Sequence, residues 1–186
     1  GVLNRKNSLG PDAQLRSRGE LPLEALDHAD AVAAAEALTH IDPRSYRSFN
    51  LFVADSRDAY WLSSTGPDAD RVRLHEIPDG VSMLTAWDLD SDDSARTTYF
   101  RPGFEAAPPP DPETGDWAAW ERLMASRQFA TGATSREAMY ITDLAGFGTL
   151  SSSLIALESP TAPSPRNIWR FYANITEKQD FTEIAV

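Results

Sequence analysis

The chain contains one run of closely spaced carboxylates of the kind that can bind a metal ion. Asp88, Asp90 and Asp92 alternate with other residues, as the first ligands of a calcium loop do. The sixth position of that pattern is Asp93 where the loop requires glycine, and the twelfth is Tyr99 where it requires a bidentate glutamate. The spacing therefore does not predict a metal site, and a solvated acidic segment is the preferred interpretation.

Histidine and cysteine add little further chemistry. The three histidines, His28, His40 and His75, are too scattered for a metal-ligand motif, and the first two are expected near helix C-termini, where the helix dipole favours them. The chain has no cysteine, which excludes disulfides, thiolate metal ligands and a cysteine nucleophile within these 186 residues. Neither a metal nor a cofactor is predicted.

A glycine-flanked turn followed by small hydroxyl residues is a candidate ligand-binding feature. Gly146-Phe147-Gly148-Thr149 leads into Leu150-Ser151-Ser152-Ser153. The backbone N–H groups of such a turn, together with hydroxyls at the start of a strand, can bind a ligand, which makes Thr149 and Ser151 candidate pocket residues. A glycine turn before an ordinary strand gives the same pattern, so a purely structural role stays open.

The charge balance limits the partners. Lys and Arg total 17 and Asp and Glu total 28, which gives a formal net charge of −11. Duplex nucleic acid and anionic membrane surfaces both require concentrated positive charge, so neither is expected as a partner. No apolar run approaches the roughly 20 residues that cross a bilayer, and the expected location is cytoplasmic. The sequon Asn174-Ile175-Thr176 would matter only in a secreted protein.

Two helices are predicted to precede the strands. Ser17-Arg18-Gly19-Glu20 fits a capping box, in which the Ser17 hydroxyl accepts from the Glu20 N–H and the Glu20 carboxylate accepts from the Ser17 N–H. In the structural interpretation, Arg18 and Glu20 only cap and brace this helix. Its buried stripe is expected to consist of Leu23 and Leu26, joined by Leu21. Asp30 is the expected N-cap of a second helix over residues 31–40.

The hydrophobic period then changes to that of β-strands. Strands are predicted over residues 49–54, 59–62, 71–75, 81–85, 139–142, 150–157 and 167–173. Helices are predicted over residues 95–100 and 116–127, the second with a core stripe of Trp117, Trp120, Leu123 and Met124. Because strands that are adjacent in sequence and joined by tight turns pair antiparallel, the pattern predicts an α+β fold with antiparallel sheets.

Several short blocks occur in a fixed order along the chain. They are Val2-Leu3-Asn4-Arg5, Ser8-Leu9-Gly10-Pro11, Arg16-Ser17-Arg18-Gly19-Glu20-Leu21, Phe49-Asn50-Leu51 with Ala54-Asp55, and Gly146-Phe147-Gly148-Thr149 with Ser151-Ser152-Ser153. Together these blocks resemble the NRDE family, also called the transport and Golgi organisation protein 2 family. The resemblance implies an Ntn-hydrolase-like domain, a four-layer αββα sandwich distantly similar to penicillin V acylases and bile-salt hydrolases. Family members usually begin with Met-Cys and carry an Asn-Arg-Asp-Glu motif, so residues 1–186 are expected to be a single, incomplete domain whose N-terminal strands are missing.

The resemblance also implies roles for particular residues. Asn4 resembles an asparagine that donates to the oxyanion in the related amide hydrolases. Thr85 stands in a block where a second asparagine is expected, but Ala86 takes its place, and Leu150 replaces a common arginine. Since losing an oxyanion donor typically costs about 10²–10³ in rate, these departures weaken a hydrolase interpretation. Asn50 lies between apolar strand residues, and both a pocket role and a buried, backbone-satisfied amide fit it.

Three functions remain open. The preferred one is an NRDE-like protein that binds or traffics a small molecule in an Ntn-type pocket without hydrolysing it, with haem or lipid and acyl-CoA as the implied ligand classes. The alternative is an amidohydrolase acting on linear amides, with Asn4 as oxyanion donor, Thr85 and Ser151 in the pocket, and an N-terminal Cys nucleophile outside this chain. The third is a structural domain with no small-molecule site. An exposed sheet edge could also pair with a second copy and give a homo-oligomer.

Overall fold

The structure of the protein is a computed structural model that describes residues 1–142, 146–159, 161–162, 166–173 and 181–185. The sequon Asn174-Ile175-Thr176 lies outside these residues. The chain divides into two units, Gly1–Thr97 and Thr98–Val186. The single, incomplete domain expected over residues 1–186 stays a prediction.

The first unit is a four-stranded antiparallel sheet with two helices. Its strands, hydrogen-bonded in this order, are β1 (Val2–Asn4), β2 (Phe49–Ala54), β3 (Ala59–Ser64) and β4 (Arg73–Glu76). Its helices are α1 (Glu20–Ala25) and α2 (Ala31–Leu38), and short 3-10 turns cover Pro43–Ser45 and Gly66–Asp68. The hairpin of β2 and β3, predicted from two β-rich runs around a polar loop, is confirmed.

Alternation along the strands places the hydrophobic core on one face of this sheet. Phe49, Leu51 and Leu62 lie on the side where Leu21 of α1 and Leu38 of α2 pack, and all five side chains are fully buried. Successive strand residues point to opposite faces, so the same strands present polar groups on the other side.

That polar face carries an aromatic stack. Trp61 of β3 lies directly opposite His75 of β4, and their rings stack with centroids 4.8 Å apart. Asn50 of β2 is opposite Ser63 of β3 on the same face. Polar and aromatic side chains therefore surround the middle of β2 and β3 on this side of the sheet.

Helix α2 begins where the sequence predicts. Asp30 accepts a hydrogen bond from the N–H of Ala33 at 2.8 Å, as an N-cap aspartate does. A second carboxylate, that of Asp55 in the β2–β3 loop, accepts from the N–H of Ala31 at 3.0 Å. Two side chains thus satisfy N–H groups that have no partner inside the helix.

The predicted capping box at residues 17–20 is wrong. The hydroxyl of Ser17 accepts from the N–H of Gly19 at 3.2 Å, and the carboxylate of Glu20 pairs with Arg16 at 2.7 Å. Because both side chains have other partners, α1 starts at Glu20 without a side-chain cap.

The predicted buried stripe of α1 is also wrong. Leu21 is fully buried, but Leu23 is 65% exposed and Leu26 is 80% exposed. A six-residue helix has fewer than two turns, and here it presents a single leucine to the core.

The strand predicted at residues 81–85 is wrong, because its backbone bonds outside a β-ladder. Met83 donates its N–H to the carboxylate of Asp90 at 2.6 Å and accepts from the N–H of Asp90 at 2.9 Å. The carbonyl of Ala86 accepts from the N–H of Lys6, just after β1, at 3.0 Å. The segment is therefore an irregular connection fixed by particular side-chain and backbone groups.

The second unit contains an antiparallel sheet of three strands among the described residues. They are β5 (Ser151–Ala156), β6 (Ile168–Ala173) and β7 (Thr182–Ile184), in that order. Helix α3 (Ala95–Ala106) contains the boundary between the units, and α4 (Ala118–Met124) and a 3-10 turn at Ser135–Glu137 follow it. Trp117, Leu154 and Ile168 form the core, against which Trp120 and Met124 pack, so the predicted core role of Trp117, Trp120 and Met124 is confirmed. Leu123, the fourth predicted residue, is half-buried and is not part of this cluster.

The strand predicted at residues 139–142 is wrong. The N–H of Tyr140 donates to the carbonyl of Ser126 at 2.8 Å. Ile141 accepts from the N–H of Thr149 at 2.8 Å and donates to its hydroxyl at 2.9 Å. These bonds fix a loop, not a strand.

Helix α3 is longer than the predicted 95–100, and β7 was not predicted. Phe100 and Phe104, four residues apart on one helix face, are both buried, and Phe104 meets Trp120 edge-on with ring centroids 5.1 Å apart. This packing accompanies the continuation of the helix past Pro102, where a helix would otherwise tend to break.

Within the described residues, the helices and the two antiparallel sheets make this an α+β protein, as predicted. None of the helices in these ranges combines the length and apolar character needed to cross a membrane.

Candidate functional site

Asn50 lies in the middle of the polar face of the first sheet and is fully buried. Its Nδ2 donates to the backbone carbonyls of Thr85 and Trp87 at 2.9 and 2.6 Å. Its Oδ1 accepts from Arg5 Nη1 at 2.6 Å and from Trp61 Nε1 at 3.1 Å. Both donors and both lone pairs of the amide are used within the protein, which is how a buried amide is satisfied.

Thr85 is joined to Asn50 through its carbonyl, so the structure brings these two predicted residues together. The Thr85 side chain is buried, with its hydroxyl 3.2 Å from that of Ser94 and accepting from the N–H of Trp87 at 3.3 Å. Asn50 and Thr85 therefore belong to a closed polar network, and their place in a ligand pocket stays a prediction.

Thr149 and Ser151 belong to the second unit. The Thr149 hydroxyl accepts from the N–H of Ile141, so it helps to hold a loop. Ser151 opens β5 opposite Ala173, is exposed, and its hydroxyl forms no hydrogen bond with any residue that the structure describes. Neither has geometry that identifies a ligand site.

Asn4 lies on the other face of the first sheet from Asn50. It ends β1 directly opposite Phe49, and directly opposed residues share a face. Asn4 is exposed, and its amide makes no hydrogen bond to the described part of the chain. It lines a cavity of about 400 Å³.

This cavity, here called the β1 cavity, lies between β1 and the segment that leads into α1. Its apolar wall consists of Val2, Pro11 and Leu15. Its polar wall contains Asn4, Asp12, Arg16, Arg18 and Arg47. Three arginines thus converge on one cavity in a chain whose formal charge is −11.

Arg18 forms the inner part of the polar wall. Its Nη1 donates to the carbonyls of Ser8 and Ser48 at 2.8 and 2.9 Å and to the Ser8 hydroxyl at 3.0 Å. Its Nη2 lies 3.4 Å from the carbonyl oxygen of Gly10. All of these acceptors are neutral, so the hydrogen bonds position the guanidinium without neutralising its charge.

The pKa of Arg18 agrees with a guanidinium that has no counter-charge. Burial lowers the pKa of Arg18 from its ordinary value, and the nearby charge of Arg47 lowers it further. Arg47 forms no hydrogen bond or ion pair with the residues described. Arg16, in contrast, pairs with Glu20 at 2.7 Å and lies over the ring of Tyr46, with its guanidinium carbon 5.1 Å from the ring centroid.

Two of the three carboxylates at residues 88–92, those of Asp88 and Asp90, have partners of their own. Asp88 contacts Arg5 at 2.5 Å, and the carboxylate of Asp90 accepts from the N–H of Met83 at 2.6 Å. No cluster of three or more His, Asp or Glu side chains that could hold a metal occurs among the described residues.

Sequence reasoning found Asn4 but missed two of its neighbours. Arg18 was assigned to bracing a helix, and Arg47 was given no role. The available signal was the pair of arginines flanking Ser17 in an acidic chain. Arg47 lies two residues before β2, and its place in the cavity wall depends on the tertiary path of that segment, which residue types do not show.

Comparison with known proteins finds no matching family model, no curated protein with significant similarity and no solved structure that matches. The resemblance to the NRDE family therefore rests on the sequence blocks alone.

Proposed function

We propose that this protein binds a small molecule without transforming it, and that the β1 cavity is the binding site. The observation that carries the proposal is the convergence of Arg16, Arg18 and Arg47 on one cavity. Two other cavities, of about 320 and 450 Å³, have at most one arginine in their described lining. The β1 cavity's volume of about 400 Å³ lies within the range of about 300–1,000 Å³ that is typical of small-molecule sites. It also combines an apolar wall with a few converging polar groups, as such sites do.

The contacts of the candidate pocket residues Asn50 and Thr85 and of the candidate oxyanion donor Asn4 favour binding over hydrolysis. Asn50 and Thr85 use their side chains within the protein, so neither has a group left to polarise a substrate. Asn4 does line the cavity, and a side-chain amide there can orient a ligand. Catalysis would need in addition a nucleophile, which the amidohydrolase alternative places outside these 186 residues.

The resemblance to the NRDE family supports haem or acyl-CoA as ligand classes, and a four-layer αββα sandwich as the arrangement of the complete fold. Both ligands carry an extended apolar part and anionic groups, which agrees with the two walls of the cavity.

Binding is tested by titrating the chain with hemin, followed by absorbance, and with an acyl-CoA, followed by calorimetry. Leu15→Trp places a larger side chain in the cavity and should weaken binding at least tenfold, because that side chain occupies part of the ligand's volume. Leu9→Trp is the matched control, since Leu9 is exposed and does not line the cavity. Failure of both ligands to bind at high micromolar concentration would exclude these classes, and equal binding by the two variants would exclude the cavity.

Hydrolysis is tested on the same sample with acyl-amide substrates. Background turnover is expected. Turnover well above background that Leu15→Trp abolishes would show that the cavity is catalytic and would overturn the proposal.

A further inference from the structure

We propose that the β1 cavity recognises an oxyanion, a carboxylate or a phosphate, through Arg18 and Arg47. The rest of the ligand would lie against Val2, Pro11 and Leu15. This inference deepens the proposed function and rests on it for the location of the site.

The first support is the unneutralised charge of Arg18. A guanidinium offers five N–H donors in a rigid fork. Arg18 uses Nη1 on the oxygens of Ser8 and Ser48, while its Nη2 makes one long contact to Gly10. Its Nε forms no hydrogen bond with the described residues. Donors therefore remain for an incoming acceptor, and Arg18 forms no ion pair with a carboxylate of the described residues.

The second support is the placement of Arg47 in the same wall. Two cations that approach each other in a partly buried site repel, and an anion between them relieves that repulsion. Arg47 has no competing partner within the described ranges, and Asp12 is the carboxylate that lines the cavity there. The carboxylate of Asp12 accepts from the N–H of Gln14 at 3.0 Å, so one of its oxygens is used in a hydrogen bond within its own loop.

The third support is the division of labour among the three arginines. Arg16 is paired with Glu20 and packed on Tyr46, so its charge is already balanced. Arg18 and Arg47 are not balanced in this way. An arginine held by neutral carbonyls is preorganised to form the forked, charge-assisted hydrogen bonds with which guanidinium groups bind carboxylates and phosphates.

The apolar wall restricts the class of ligand. Val2, Pro11 and Leu15 would face the part of the ligand next to its charged end, and the amide of Asn4 can donate to the same oxyanion or to a neighbouring polar atom. The geometry therefore favours an amphiphilic anion over an inorganic ion.

The test uses four probes with one chain length: octanoate, octyl phosphate, octylammonium and 1-octanol, with inorganic phosphate as a fifth. Amide shifts of Asn4, Leu15 and Gly19 in ¹H–¹⁵N spectra report binding in the cavity. We expect the two octyl anions to bind at least tenfold more tightly than octylammonium and octanol, and inorganic phosphate to bind more weakly than octyl phosphate. Raising the salt concentration should weaken the binding of the anions and not that of octylammonium or octanol.

Arg47→Gln should weaken anion binding about tenfold, which corresponds to the loss of one charge-assisted contact. Arg57→Gln is the charge-matched control, because Arg57 is exposed in the β2–β3 loop and does not line the cavity. Arg18→Lys keeps the charge and removes the fork. If Arg18→Lys fails to fold, the comparison of Arg47→Gln with Arg57→Gln is sufficient to test the inference.

The outcomes separate this inference from the proposed function. If octanol and octanoate bind equally and Leu15→Trp abolishes both, anion recognition is wrong and small-molecule binding stands. If the octyl anions do not bind, or Arg47→Gln and Arg57→Gln bind them equally, the inference is overturned. If the anions bind through Arg47 while hemin and acyl-CoA do not bind, the inference stands and those ligand classes are excluded.

Discussion

The guanidinium of Arg5 donates to the side-chain oxygen of Asn50 at 2.6 Å, and its other terminal nitrogen contacts Asp88 at 2.5 Å. One arginine just after β1 thus connects a buried amide on β2 with a carboxylate 83 positions further along the chain. Together with the two carbonyls that Asn50 binds, this contact fixes the irregular segment after β4 on the polar face of the sheet.

Replacing Asn50 by alanine should destabilise the first unit strongly. The substitution leaves the buried carbonyls of Thr85 and Trp87 without their donor, and each such loss typically costs about 1–3 kcal/mol. Urea unfolding should show a free energy of unfolding that is lower by about 2 kcal/mol or more. Asn4→Ala is the matched control, because Asn4 is an exposed strand asparagine, and equal losses in the two variants would contradict the role of the network.

Gly66→Ala should be more damaging than Gly80→Ala. Both glycines have positive φ, +82° and +104°, so alanine pays a conformational penalty of about 1–2 kcal/mol at either position. Only at Gly66 would the added Cβ also meet a backbone atom, the nitrogen of Ser48, at 2.7 Å. Thermal unfolding should separate the two variants, and similar melting temperatures would show that the close approach at Gly66 relaxes at little cost.

Asp55 should make stability depend on acid pH. Hydrogen bonds from the N–H groups of Ala31, Arg57 and Asp58 lower the pKa of Asp55 in the folded protein. A carboxyl group whose pKa is lower when folded stabilises the fold fully above its unfolded pKa of about 3.9. That contribution is lost as the pH falls through the lower folded value.

Asp55→Asn should therefore reduce stability at pH 7, and its difference in stability from the wild type should shrink as the pH falls below the ordinary Asp pKa of about 3.9. The measurement is denaturant unfolding between about pH 2 and pH 7, a range that includes the ordinary pKa of Asp. Asp58→Asn is the matched control, because it removes the same charge three residues away and leaves the carboxylate of Asp55 in place. A constant difference between Asp55→Asn and wild type over the whole range would contradict the assignment.

In the second unit, Arg170 and Glu121 should be coupled more strongly than Arg101 and Glu105. The first pair is at 2.6 Å with side chains only 21% and 24% exposed, whereas the second is at 2.9 Å with 36% and 48% exposed. Double-mutant cycles to alanine should give a coupling of about 1 kcal/mol for the first pair and about 0.3–0.5 kcal/mol for the second. The reverse order would mean that burial does not govern these ion pairs.

Elements defined by local patterns could be predicted from the sequence. The β2–β3 hairpin follows from two alternating runs around a polar loop, and α2 follows from Asp30 before a run of alanines. The segment at 81–85 has an equally strand-like composition. Its backbone partners, Asn50 and Asp90, come from other parts of the chain, and no local pattern encodes them.

The site could be predicted only in part, for a related reason. Asn4 was identified through its sequence block, but Arg18 is held by the carbonyls of Ser8, Gly10 and Ser48. Every residue has a carbonyl, so such partners leave no trace in residue types. Likewise, the three residues of β7 are too few to show an alternating pattern and pair only because β6 offers a free edge.

The position of Arg18 has a consequence for evolution and engineering. Its guanidinium donates to the carbonyls of Ser8, after β1, and Ser48, directly before β2. Arg18 therefore stabilises the first unit as well as lining its cavity. A ligand that binds only the folded form raises its stability with the logarithm of ligand concentration, so ligand binding in the cavity, as we propose it, would also stabilise the fold. If the cavity binds an anion as we propose, substituting Arg18 would change both recognition and stability, whereas substituting Arg47, which forms no hydrogen bond or ion pair with the described residues, would change recognition alone.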